Sequence, residues 1–124
     1  MRIGDSGGIL VASNYNLHFS TTATAATSYV GDGDNSSARW RLTSGIGNAT
    51  GEGFNGVYFL HRDTSIYNYV HGTFSMSTGT TGVYQGGQFF GIYADVVTMD
   101  RIQIVANVGT LTSGRFTVWG ISHV

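Results

Sequence analysis

Tyr15-Asn16-Leu17-His18-Phe19 places three large apolar side chains at every second position, with polar ones between them. Side chains on a strand alternate between its two faces, so Tyr15, Leu17 and Phe19 share a dry face and Asn16 and His18 a wet one. The same reading extends along the chain. In Ala38–Thr43, Trp40 and Leu42 point one way and Arg39 and Arg41 the other; Ile102, Ile104 and Ala106 alternate with Arg101 and Gln103. In Arg115-Phe116-Thr117-Val118-Trp119, Phe116 and Val118 fall together and Trp119 opposite. Both faces there carry apolar bulk, which predicts a central strand or one covered by a neighbouring subunit.

Segments of this kind recur from end to end, separated by clusters of Gly, Asn, Asp, Ser and Thr, while helical periodicity is almost absent. Strands are expected at Ile9–Ala12, Tyr15–Phe19, Ala38–Thr43, Gly56–His61, Ser65–His71, Thr73–Ser77, Gln88–Val97, Arg101–Val108 and Arg115–Ile121. The alanine- and threonine-rich run Thr21–Ser28 reads as loop or edge strand, because threonine's β-branched side chain is stiff and disfavours a helix. About eight strands of about six residues, with connections of about five, occupy roughly 80–90 residues. The expected fold is all-β, a two-sheet antiparallel β-sandwich of jelly-roll type with about eight strands; a seven-stranded immunoglobulin-like sandwich fits nearly as well. The 124 residues make one domain, 1–124, in which residues 1–10 are either an extended arm or an ordinary first strand.

Only 10% of residues are charged, all six basic residues are arginines, and the formal net charge is -1. Without a basic run there is no electrostatic footprint for nucleic acid or a membrane surface. A surface so poor in charge is weakly protected against self-association, which points to an oligomer or an assembly. The chain has no cysteine, so disulfides, zinc–cysteine sites and thiol catalysis are excluded. No apolar run approaches the ~20 residues of a membrane span, and Met1-Arg2-Ile3-Gly4-Asp5 does not resemble a signal peptide, so the mature chain is expected to begin there.

Each motif that resembles a catalytic or binding signature lacks part of what its chemistry requires. His61-Arg62-Asp63 spells a kinase catalytic-loop triplet, but kinase chemistry also needs a lysine and the chain has none. Gly51-Glu52-Gly53-Phe54-Asn55-Gly56 has dinucleotide-binding spacing but precedes a strand instead of a helix. Gly31–Ser36 offers Asp32, Asp34 and Asn35 as oxygen ligands for calcium, against the plainer reading of an Asx-rich turn. His18, His61, His71 and His123 lack the short spacing of a metal cluster, although His61 and His71 are placed to fall on adjacent strands. Glu52, Asp63, Asp95 and Asp100, the acids available for glycosidase chemistry, all fall at expected turns. The expectation is no enzyme, no catalytic residue, no cofactor, no resident metal and no small-molecule substrate.

The C-terminal third carries a resemblance. Phe89-Phe90-Gly91-Ile92-Tyr93 is followed by Ile102-Gln103-Ile104, a turn containing Gly109, and then Gly114-Arg115-Phe116-Thr117-Val118-Trp119-Gly120-Ile121. This resembles the closing hairpin of jelly-roll modules in tailed-bacteriophage virion proteins, which end in an Ile-x-Ile strand, a glycine turn and a Gly-x-Phe-x-Val-Trp-Gly-Ile type of strand. The resemblance implies a virion module, commonly trimeric, either a capsid decoration or cement protein or a receptor-binding domain of a tail fibre. With no stem-like repeat in the chain, the decoration protein is expected, on the outer surface of the phage head with the major capsid protein as partner. Arg2, Ile3, Ile9 and Leu10 are the candidate capsid contacts. On the alternative, a tail-associated receptor- or carbohydrate-binding module, Tyr67, Tyr69 and Trp119 are the candidate sugar-stacking residues.

Overall fold

The structure, a computed structural model, describes residues 1–23, 30–43, 46, 49–78, 83–109, 111 and 113–120. It is an all-β sandwich of two antiparallel sheets with no helix among the described residues. The small sheet runs β2 (Gly8–Ile9), β1 (Arg2–Asp5), β8 (Arg101–Gln103). The large sheet runs β4 (Val30–Ser37), β3 (Tyr15–Ala23), β7 (Val83–Tyr93), β6 (Asn68–Thr78), β5 (Gly53–His61). Strands β5, β6 and β7 form a meander, and β3 and β4 form a hairpin that joins it through β3.

Register decides what each face carries. Tyr15 pairs with Tyr93 and Tyr93 with Asn68; Phe19 pairs with Phe89, Phe89 with Gly72, and Gly72 with Tyr58. These rows build the inner face, where Tyr15, Leu17, Phe19, Val70, Phe74, Met76, Phe89 and Tyr93 are buried. Because β4 and β5 lie on opposite edges, the chain between them must cross the sheet, and it crosses on this inner side. Trp40 is fully buried there, and its indole N–H donates to the Asn16 carbonyl at 3.1 Å. Further along, the Leu42 carbonyl accepts the Tyr58 hydroxyl at 3.3 Å. Trp40 lies edge-on to Tyr15, with centroids 5.1 Å apart, a geometry aromatic quadrupoles favour. Gly91 leaves the space the indole fills: a Cβ there would sit 2.7 Å from Trp40 Nε1.

The small sheet closes the other end of this core. Tyr15 accepts the Ile3 N–H at 3.0 Å and donates to the Leu10 carbonyl at 2.8 Å, so one hydroxyl ties β1 and the end of β2 to β3. Burial in this apolar setting pushes the phenol up to about 12. Met1 is buried, and its amine donates to the Trp40 carbonyl at 2.6 Å.

Several sequence expectations change. Residues 2–5 are a paired strand, in line with the first-strand reading of residues 1–10. The two strands expected at Ser65–His71 and Thr73–Ser77 are one, β6, because Gly72 continues the ladder instead of turning it. Gly31–Ser36 is strand where a turn was expected; glycine and aspartate suit an edge, where short polar sequences discourage further pairing. Residues 38–43 keep the expected alternation, with Trp40 and Leu42 inward, but make no ladder because they cross the sheet instead of joining it. The strand expected over Arg101–Val108 stops at Gln103. Residues 114–120 form no strand, so the closing hairpin implied by the resemblance is not made by the described residues; Ile121 lies outside them.

Candidate functional site

The outer face of the five-stranded sheet carries the most distinctive surface. Cross-strand partners there form two rows. His18 pairs with Phe90, Phe90 with His71 and His71 with Phe59; Asn16 pairs with Ile92, Ile92 with Tyr69 and Tyr69 with His61. Phe59 is 51% exposed and Phe90 49%, with Val57 and Tyr69 also exposed. The Phe59 and His71 rings stack at 5.2 Å and the His71 and His61 rings at 5.7 Å, making a column of three rings across β5 and β6. His61, Tyr69, His71 and Phe90 line a shallow recess beside it.

The local sequence explains how this face arises. Val57-Tyr58-Phe59-Leu60 is apolar at every position, so period two sends Tyr58 and Leu60 to the core and Val57 and Phe59 to the outside. Phe89 and Phe90 repeat the arrangement: one is fully buried and the other exposed. Continuous apolar runs in strands signal a sheet covered on both sides, and Arg115–Trp119 likewise carries apolar bulk on both faces. Val57, Phe59 and Phe90 are therefore surface residues that alternation alone does not reveal, whereas His18 lies on the wet face assigned to it. The expected adjacency of His61 and His71 is present.

Other sequence candidates resolve into local structure. The Asp32 and Asp34 carboxylates, weighed with Asn35 for calcium, face Arg41 at 2.7 and 3.6 Å, so one guanidinium offsets part of their charge. Arg41 also lies over the Phe19 ring at 5.1 Å. Among the described residues no group of three or more His, Asp or Glu is placed to hold a metal ion. Asp63 accepts the Ser65 amide and hydroxyl, each at 2.7 Å, which holds its carboxyl below the usual range and makes His61-Arg62-Asp63 a strand end and turn. Gly51 turns the chain at φ 89°, and the second half of the glycine motif is the start of β5. Glu52 bonds the Ala49 amide, Asp95 the Val96 amide, and Asp100 pairs with Arg101 at 2.7 Å, which lowers the Asp100 pKa.

The N-terminal contact candidates lie in or beside the small sheet. Ile3 is fully buried, Leu10 packs against the core, and Arg2 bonds the Ala38 carbonyl at 3.2 Å. Ile9 is half-buried in β2. Tyr67, Tyr69 and Trp119, by contrast, are exposed. His123 lies outside the described residues. Comparison of the chain with protein-family models, with curated proteins and with solved structures finds no match to any of the three.

Proposed function

We propose that this chain is a non-catalytic virion protein, a capsid decoration or cement protein that binds major capsid subunits on the outside of the phage head, as a homotrimer. The observation that carries this reading is the outer face of the large sheet: exposed Val57, Phe59, Tyr69 and Phe90, contiguous through the strand register, on a chain with only 10% charged residues. An apolar patch of this kind marks a surface built to be covered. The resemblance of the C-terminal third to phage virion modules supplies the setting. The contact surface moves accordingly from residues 1–10 to this sheet. Copies bound at capsomer junctions stabilise a shell by mass action and multivalency. The test strips the protein from purified particles and adds it back. Heat resistance should fall and return, and chains carrying Phe59→Asp and Phe90→Asp should fold but fail to restore it. Undiminished resistance of stripped particles, or a label found on the tail, would overturn this reading.

One observation favours the receptor-binding alternative. Exposed Phe59 and Tyr69, beside the His71 and His61 rings, offer aromatic surface of the sort on which sugars pack, with imidazole nitrogens nearby to bond hydroxyls. A glycan array settles between the two: saturable binding that Phe59→Ala removes selects this reading, and no binding rejects it.

A further inference from the structure

We propose that residues 115–120 form a strand that a second copy of the chain accepts along the open edge of β8, each copy giving its strand to another in a reciprocal pair or closed ring. The donor is Arg115-Phe116-Thr117-Val118-Trp119-Gly120. It has the alternation and the β-branched and aromatic content of a strand, yet it makes no ladder with the described residues. Phe116 is 65% exposed, Val118 74% and Trp119 84%. Nothing within the described chain covers these side chains.

The acceptor edge is incomplete in a matching way. Among the described residues, strand β8 pairs with β1 alone, on one side. Ile102 lies directly opposite Ile3 and so on the same face, but Ile3 is fully buried while Ile102 is 36% exposed. The Ile3 N–H bonds Tyr15 and the Ile3 carbonyl accepts the Leu10 N–H at 2.9 Å, both on the side away from β8. In an antiparallel ladder, residues opposite each other whose groups do not bond one another point them outward. The Ile102 N–H and carbonyl therefore face the open edge. A strand laid there bonds those groups and covers the flank of Ile102.

The area is sufficient. Two aromatics at roughly 150–250 Å² each, a valine, and the surface they cover, taken twice in a reciprocal exchange, reach on the order of 1,500 Å², the size of stable protein interfaces. A formal net charge of -1 leaves little repulsion between copies. The inference does not rest on the virion reading; a self-associating chain that binds no capsid leaves it standing.

Sedimentation velocity on the full chain, paired with acrylamide quenching of Trp119 across a wide concentration range, tests it. Assembly should rise with concentration as Trp119 becomes shielded. Phe116→Asp with Val118→Asp should weaken assembly by about a hundredfold or more while the dilute chain keeps its circular dichroism; Phe116→Ser is a milder variant giving a smaller loss. Three results would overturn the proposal: a monomer with quenchable Trp119 throughout, a monomer with Trp119 already shielded by its own chain, or an assembly indifferent to both variants.

Discussion

Tyr15–Phe19 and Arg115–Trp119 both read as strands, the first with one apolar face and the second with two, and they have opposite fates. The first lies between β4 and β7, with Tyr15, Leu17 and Phe19 at most 5% exposed. The second has no neighbour on either side among the described residues, and its largest side chain is 84% exposed. Alternation specifies which side chains share a face; it does not specify what covers that face. A strand is stabilised by cross-strand pairs and by the layer packed on it, and those come from elsewhere in the chain or from another chain.

The contrast is sharpest where the packed strand is challenged. Trp40→Ala removes the side chain that roofs Tyr15 and Gly91, and is expected to cost about 3–5 kcal/mol of stability in urea denaturation. A loss under about 1 kcal/mol would mean that this end of the core is no better packed than the C-terminal segment.

The N-terminus provides the next largest effect, read through pH. Burial of the Met1 amine, with Arg39 and Arg2 adding repulsion, lowers its pKa from 8.0 to about 5. A base with a lower pKa folded than unfolded binds its proton better in the unfolded chain. Stability is therefore full above about pH 8, falls as pH drops toward about 5, and then levels off from this cause. At roughly 1.36 kcal/mol per pH unit the whole change is on the order of 4 kcal/mol. Chemical denaturation at stepped pH measures it, and the slope should persist in a Phe116→Ala, Val118→Ala chain, since it arises at the packed end.

Gly91→Ala probes the same core by overfilling it. The added methyl meets Trp40 Nε1 at 2.7 Å and Val70 Cγ1 at 2.8 Å, with an expected cost of about 1–3 kcal/mol in thermal or urea unfolding. The smallest effect belongs to the exposed segment. Phe116→Ala and Val118→Ala should each change the stability of the dilute chain by less than about 0.5 kcal/mol. A larger loss would show that the segment packs within its own chain.

Much of the fold was legible locally. Tyr15–Phe19 and Gly56–His61 are strands where alternation and turn residues said so, and Trp40 and Leu42 turn inward as their spacing required. The surroundings of the candidate site residues were less legible. Gly31–Ser36 read as an Asx-rich turn, with calcium as the lesser alternative, but is strand β4, whose Asp32 and Asp34 face Arg41 of the crossing segment. For residues 1–10 the sequence left an arm and a first strand equally open, because Arg2 and Ile3 pair with β8 and Arg2 bonds Ala38, partners far along the chain. The outer face was partly readable in Val57-Tyr58-Phe59-Leu60, but its rows require the register of three strands at once.

The sequence by itself determined the all-β class, the faces of most strands and the scarcity of charge, because period-two patterning and composition are local properties of the chain. Only the tertiary structure decided which apolar faces found cover, how His61, His71 and Phe59 stack into one column, and that Phe116, Val118 and Trp119 remain outside the core. Those outcomes depend on strand order and on contacts between distant residues, which no stretch of sequence contains.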